Sequence, residues 1–191
     1  MLREAHELLN YVPKHRLLFY AEEQDIYDEM LDEGLITEKM KYLPPLQELK
    51  GMLNAWKSDG ESLLIIDDMN QIIDLRDVEA LFTRLRSHMR CSVIYLSQVI
   101  FLVKSPSFRV MSVNSQYQVV FKSPRDTRSI MTLATQVMSE RPKYLVDAYK
   151  KATKEPYQPL ILDYTMNQAD IVRLRSHIFS KPHPPIAYIP S

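Results

Sequence analysis

The chain has 191 residues, of which 46% are hydrophobic and 25% charged. This length and hydrophobic content are enough for one compact domain with a hydrophobic core. The longest nearly apolar stretch, Val93–Val103, is interrupted by Ser97 and Gln98 and has about half the residues needed to cross a bilayer, so we expect no membrane span. The start, MLREAHELLN, lacks the apolar centre of a secretory signal, and we expect an intracellular protein. A single cysteine, Cys91, excludes an internal disulfide.

The net charge of zero hides an uneven distribution along the chain. Residues 1–100 carry 11 Lys and Arg against 18 Asp and Glu, whereas residues 101–191 carry 13 against 6. A basic half of this kind faces a polyanion or an acidic neighbouring subunit in some proteins, and in others it is an ordinary solvated surface. The sequence leaves both interpretations open.

Short apolar runs predict buried strands, because strands covered on both faces have no polar alternation. The predicted strands are Leu17–Tyr20, Leu63–Ile66 within the run LLIIDD, Val93–Leu96, Tyr117–Phe121 and Leu160–Leu162.

Apolar residues at helical spacing predict the segments between these strands. The predicted helices cover residues 2–10, a segment from Ile26 to Leu31 that Gly34 closes, a segment from Pro44 to Trp56, Val78–Met89, a segment through Ile130 and Val137 that Asp126 caps, and a last helix from Pro142.

Strands that alternate with helices indicate an α/β fold with a mostly parallel sheet and helices on both faces. We expect one domain over residues 1–180. The Pro-rich end, residues 181–191, is interpreted as an extended tail that either docks on a neighbour or is disordered.

Polar side chains follow two of the predicted strands at the edge where open parallel sheets bind ligands. Asp67 and Asp68 end one strand, and Gln98 follows the next. A carboxylate at such a position suits a water ligand of magnesium, and a second one suits the activation of an attacking water, so Asp67 is the metal candidate and Asp68 the base. The alternative is that the two aspartates only end the strand and cap the following turn.

A nucleotide triphosphate also needs a Gly-rich loop followed by Lys and Ser or Thr. The chain contains only three glycines and no Gly-Lys-Ser/Thr. Arg109, in the segment after the strand of Gln98, is a candidate arginine finger for a neighbouring subunit or, alternatively, a solvated loop residue.

Five segments of the chain are distinctive in sequence and order: His15–Met30, Leu63–Met69, Val93–Phe101, Phe108–Asp126 and Arg173–Phe179. Together they resemble the DNA-packaging ATPases of Maverick/Polinton-like elements and adintoviruses, which belong to the FtsK–HerA group with the poxvirus packaging ATPase. The resemblance spans about residues 15–179, and the pair VIYLSQ and VVFKSPRD is its most specific part.

The resemblance implies a P-loop NTPase-like fold of the RecA/FtsK–HerA type, and a homo-oligomeric ring that binds ATP and Mg²⁺ between subunits and moves double-stranded DNA into a capsid. It implies that Asp67 and Asp68 are the Walker B pair, that Gln98 is the strand-end glutamine, and that Arg109 is the arginine before the next strand. The first strand and the Walker A loop of the family have no counterpart here. The implied location is the host nucleus or a viral assembly site.

Three hypotheses follow from the sequence. The first is a portion of a viral or transposon packaging ATPase that is inactive as this chain alone. The second is a non-catalytic interaction module derived from such an ATPase. The third is an unrelated α/β enzyme with a small-molecule site between Asp67 and Gln98.

Overall fold

The computed structural model of the chain describes residue 9 and residues 11–69, 75–85, 88–101, 105–178 and 184–190. The chain divides into two compact units, residues 1–114 and residues 115–191. The predicted domain boundaries, 1–180 and 181–191, stay a prediction. In the described part of the chain, no helix is long and apolar enough to cross a membrane.

The first unit alternates strands and helices, as the sequence predicts. Its elements are β1 (His15–Tyr20), α1 (Asp25–Asp32), β2 (Glu38–Lys41), α2 (Leu46–Trp56), β3 (Ser62–Asp67), α3 (Leu75–Ala80) with a π-helical turn (Leu81–Leu85), β4 (Cys91–Leu96) and α4 (Pro106–Asn114).

The four strands of this unit form one sheet in the order β2-β1-β3-β4, and every neighbouring pair is parallel. The central strand β3 pairs with β1 and with β4 over all six of its residues. Ser62–Ile66 are at most 2% exposed, as expected for a strand covered on both faces. The predicted α/β class with a parallel sheet is therefore confirmed for this unit.

Helices cover both faces of the sheet, which confirms that part of the fold prediction. On one face, Leu64 and Ile66 of β3 pack with the buried side of α2, α3 and α4. On the other face, Leu63 and Ile65 pack with Tyr27 of α1. Alternation along the strand separates the two sets, and each fully buried leucine or isoleucine stabilises the fold by about 1.5–3 kcal/mol.

The second unit has a different architecture. Its sheet has the order β5-β6-β7-β8, and all three pairings are antiparallel. The prediction of a single mostly parallel sheet is therefore wrong for residues 115–191. Its elements are β5 (Tyr117–Val120), α5 (Thr127–Val137), α6 (Pro142–Ala152), β6 (Leu160–Asp163), β7 (Leu174–Ser176) and β8 (Ile186–Tyr188).

The number of helices between β5 and β6 explains the reversal. A single crossover helix returns the chain to the start of the sheet, so the next strand runs parallel to the last. Here two helices, α5 and α6, separate the strands, and a short connection joins them. The second helix carries the chain back across the sheet, and β6 then enters in the opposite direction.

Three strands are missing from the sequence prediction because their pattern is weak. β2 has the sequence EKMK with no apolar run, and β7 and β8 have only three residues each. Part of the predicted tail is ordered: Ile186–Tyr188 pair with Leu174–Ser176. The predicted helix over residues 2–10 lies almost entirely outside the described residues.

Two glycines provide a test of the backbone geometry of the first unit. Gly34 follows α1 with a φ of 66°, whereas Gly51 lies inside α2, and an added Cβ meets no atom within 4 Å at either position. We expect Gly34→Ala to destabilise the protein by about 1 kcal/mol because alanine is strained at positive φ. Gly51→Ala should stabilise it by about 0.5–1 kcal/mol through helix propensity. Urea unfolding of both variants measures the two effects, and equal signs would contradict this geometry.

Candidate functional site

The two strand tips that carry the candidate residues are neighbours. β3 and β4 are parallel and in register, with Asp67 opposite Leu96. The side-chain amide of Gln98 donates a hydrogen bond to Oδ2 of Asp68. The prediction that Asp68 and Gln98 lie together at the carboxyl edge of the sheet is confirmed.

The two consecutive aspartates project to opposite faces of the sheet. Asp67 continues the alternation of Leu63 and Ile65, whose face is covered by α1. Asp68 projects toward the other face, where Tyr95 of β4 packs against the core. The carboxylates therefore belong to two different polar environments.

Asp67 is held by Tyr27 of α1, a residue that was not predicted to belong to a site. The Tyr27 hydroxyl donates a 2.7 Å hydrogen bond to Oδ2 of Asp67. Tyr27 is 4% exposed, and burial together with the Asp67 carboxylate raises the pKa of its hydroxyl well above the ordinary value. Tyr27 therefore stays a neutral hydrogen-bond donor at physiological pH. The sequence indicates its role only weakly, through an aromatic residue with a hydroxyl group on the core face of a helix.

Asp68 lies just beyond the strand in a left-handed backbone conformation with a φ of 44°. Its N–H donates a 3.2 Å hydrogen bond to the Leu96 carbonyl, which ties it to β4. Burial raises the pKa of the Tyr95 hydroxyl to about 12, and the nearby Asp68 charge adds to this effect. This backbone conformation is uncommon for a residue with a side chain, and here it turns the carboxylate toward Gln98.

Arg109 lies on a helix, not in a loop. It belongs to α4 and is exposed, whereas its neighbours Phe108 and Met111 are buried. Phe108 packs edge-on against Tyr95, with ring centroids 6.3 Å apart, and so anchors α4 beside β4. Within the described residues, no hydrogen bond or ion pair joins Arg109 to Asp67, Asp68 or Gln98.

The cysteine is a core residue. Cys91 opens β4, is 7% exposed, and has a thiol pKa raised to about 12 by burial. A buried thiol of this kind is protonated at neutral pH and is a poor nucleophile.

The strand tips fit magnesium better than they fit a whole nucleotide. No group of three or more His, Cys, Asp or Glu in the described residues is arranged to hold a metal directly. Magnesium bound to phosphates needs only one or two carboxylates, often through water, and the second oxygen of Asp67 suits this role because Tyr27 occupies only Oδ2. The phosphates have no such partner in this chain, since its sequence has no Gly-rich loop followed by Lys and Ser or Thr.

Comparison with known proteins gives no relative: no protein-family model, no curated protein and no solved structure matches this chain. The geometry of the strand tips therefore carries the functional proposal.

Double-mutant cycles test the separation of the two carboxylates. We expect Tyr27→Phe and Asp67→Asn to couple by about 1 kcal/mol in the free energy of unfolding, because each change removes one side of the same hydrogen bond. The matched cycle of Tyr27→Phe with Asp68→Asn should show coupling near zero, since Asp68 faces away from Tyr27. Urea unfolding of the single and double variants supplies both numbers. Comparable coupling in the two cycles would contradict the opposite-face arrangement.

Proposed function

We propose that this chain is a portion of a magnesium-dependent ATPase that moves double-stranded DNA, and that it acts with a phosphate-binding loop from outside these 191 residues. The finer fold assignment, a P-loop NTPase-like domain of the FtsK–HerA type, is part of this proposal. One observation carries it: Asp67, Asp68 and Gln98 meet at the carboxyl edge of a parallel sheet. Ligands of open α/β sheets bind at this edge.

Each residue at the strand tips has a distinct proposed role. Asp67, oriented by Tyr27, holds a water of the magnesium ion that accompanies the nucleotide. Asp68 accepts a proton from the attacking water, and Gln98 holds the Asp68 carboxylate in position from the neighbouring strand. Magnesium, when bound, supplies positive charge that stabilises the charge developing on the phosphates.

The proposal includes the partners that the resemblance implies. These are a homo-oligomeric ring with nucleotide between subunits, double-stranded DNA contacted through its phosphates, and a capsid protein, in the host nucleus or at a viral assembly site. The exposed position of Arg109 on α4 supports a role toward a neighbouring subunit, because the described residues of its own chain do not engage its side chain.

Restoring a phosphate-binding loop tests the roles of the two carboxylates. A strand and loop of the resembled family, fused in front of residue 1, should bring magnesium-dependent ATP hydrolysis that the unfused chain lacks. In the fusion, Asp68→Asn should lower turnover by about a hundredfold or more while nucleotide affinity is kept, because the proton acceptor is removed. Asp67→Asn should instead raise the magnesium concentration needed for half-maximal rate.

Binding measurements on the unfused chain and on the fusion separate the proposal from its alternative. Calorimetry of the unfused chain at micromolar concentration should show no saturable binding of magnesium-ATP, because the phosphate N–H donors are missing. A folded fusion that binds nucleotide but hydrolyses none would favour the non-catalytic interaction module.

Mixed subunits test Arg109 as a residue that acts on a neighbour's nucleotide. Arg109→Ala fusions and Asp68→Asn fusions should each be inactive, and mixed rings should recover part of the activity, since some interfaces pair an intact Arg109 with an intact Asp68. ATP turnover across mixing ratios measures the recovery. Mixed rings that assemble but stay as inactive as both parents would exclude an arginine finger at this position.

A further inference from the structure

Helix α6 presents a charged face that none of the roles above uses. Lys143, Asp147 and Lys150 follow one another at i, i+4 and i+7, so they share one side of the helix, and Lys154 lies in the turn that follows its last residue, Ala152. All four are exposed, whereas Leu145, Ala148, Tyr149 and Ala152 of α6 are buried. Within the described residues, none of the three lysines forms an ion pair. We call these three lysines the α6 stripe.

The stripe contains basic charge that the second unit does not neutralise. This unit carries 11 Lys and Arg against 6 Asp and Glu. Two arginines form ion pairs within the unit. Arg173, just before β7, lies 2.7 Å from Asp170, and Arg175 of β7 lies 3.3 Å from the buried Asp163. The remaining described basic residues lie in loops and on the helices, and α6 with its following turn carries four exposed lysines, Lys143, Lys150, Lys151 and Lys154.

The geometry of the stripe fits a duplex phosphate backbone. Lys143 and Lys150 lie seven residues apart on the helix, about 10 Å, and a duplex carries one negative charge per about 1.7 Å of its axis, so several phosphates lie within reach of the two lysines and of Lys154 in the next turn. The two aromatic residues of α6 do not form a surface for stacking on bases, because the Tyr144 hydroxyl donates a hydrogen bond to the Tyr188 carbonyl and Tyr149 is buried. A face without aromatic platforms suits phosphates of a duplex better than the stacked bases of a single strand.

We propose that the α6 stripe, Lys143, Lys150 and Lys154, is a contact surface for the phosphate backbone of double-stranded DNA. The choice of DNA as the duplex rests on the proposed function, whereas the location of the contact rests on the exposure, spacing and unpaired charge of the stripe. Asp147 lies within the same face and weakens the contact by repelling phosphate. Binding through such a surface is independent of base sequence and falls steeply with salt.

Fluorescence anisotropy of the unmodified chain with a labelled random-sequence duplex tests this surface directly. The variant Lys143→Gln, Lys150→Gln and Lys154→Gln should bind about tenfold or more weakly at low salt, and the slope of log affinity against log salt should fall by about 3. A matched variant of the first unit, Lys41→Gln, Lys50→Gln and Lys57→Gln, should keep the wild-type slope. Asp147→Asn should tighten binding. Circular dichroism and thermal melting check that each variant is folded.

The other possible results of the binding experiment would contradict different parts of the proposal. If wild-type chain binds DNA and the two triple variants lose affinity equally, or Asp147→Asn has no effect, the α6 stripe is not the contact surface, and the proposed ATPase is untouched. If the wild-type chain binds no duplex at low salt, the stripe and the DNA part of the proposed function both fail. Preference for a single strand or for duplex RNA would overturn the assignment to duplex DNA. An inactive loop fusion with normal DNA binding would overturn the ATPase alone.

Discussion

The pairing of β3 with strands on both sides is the constraint on which the first unit depends. Six residues of β3 bond to β1 and to β4 in register, and five of them are almost completely buried. A slip of one residue would exchange the side chains between two differently covered faces, which burial makes costly. The register that protects the core therefore also fixes where the strand ends, and with it the positions of Asp67, Asp68 and the neighbouring Gln98.

The two aspartates have different hydrogen-bond donors. Asp67 continues the alternation of β3 and receives a hydrogen bond from Tyr27 of α1, whereas Asp68 follows the strand with a positive φ and receives one from the amide of Gln98. Each carboxylate thus has its own donor. Two independently oriented carboxylates at one sheet edge suit the separate tasks of metal binding and proton acceptance.

The second unit distributes its charges according to burial. Asp163 is 2% exposed and accepts hydrogen bonds from Thr165 while Arg175 lies beside it, as a buried carboxylate requires. Within the part of the chain that the structure describes, the lysines of α6 form no ion pair, and they are exposed. A basic excess that is left on an exposed helix face is available to an external polyanion, whereas the arginines of the sheet stabilise the unit itself.

The sequence by itself determined β1, β3 and β4 of the first unit, the end of β3 in two aspartates and the Asp126 cap of α5, because apolar runs and capping residues act locally. It did not determine the antiparallel second sheet, the short strand β8 or the helical position of Arg109. The sequence also did not reveal the hydrogen-bond partner of Asp67, because Tyr27 lies forty residues away and its pattern indicates only a core aromatic residue. Strand direction and side-chain partners are set by which elements meet in space, and only the tertiary structure decides that.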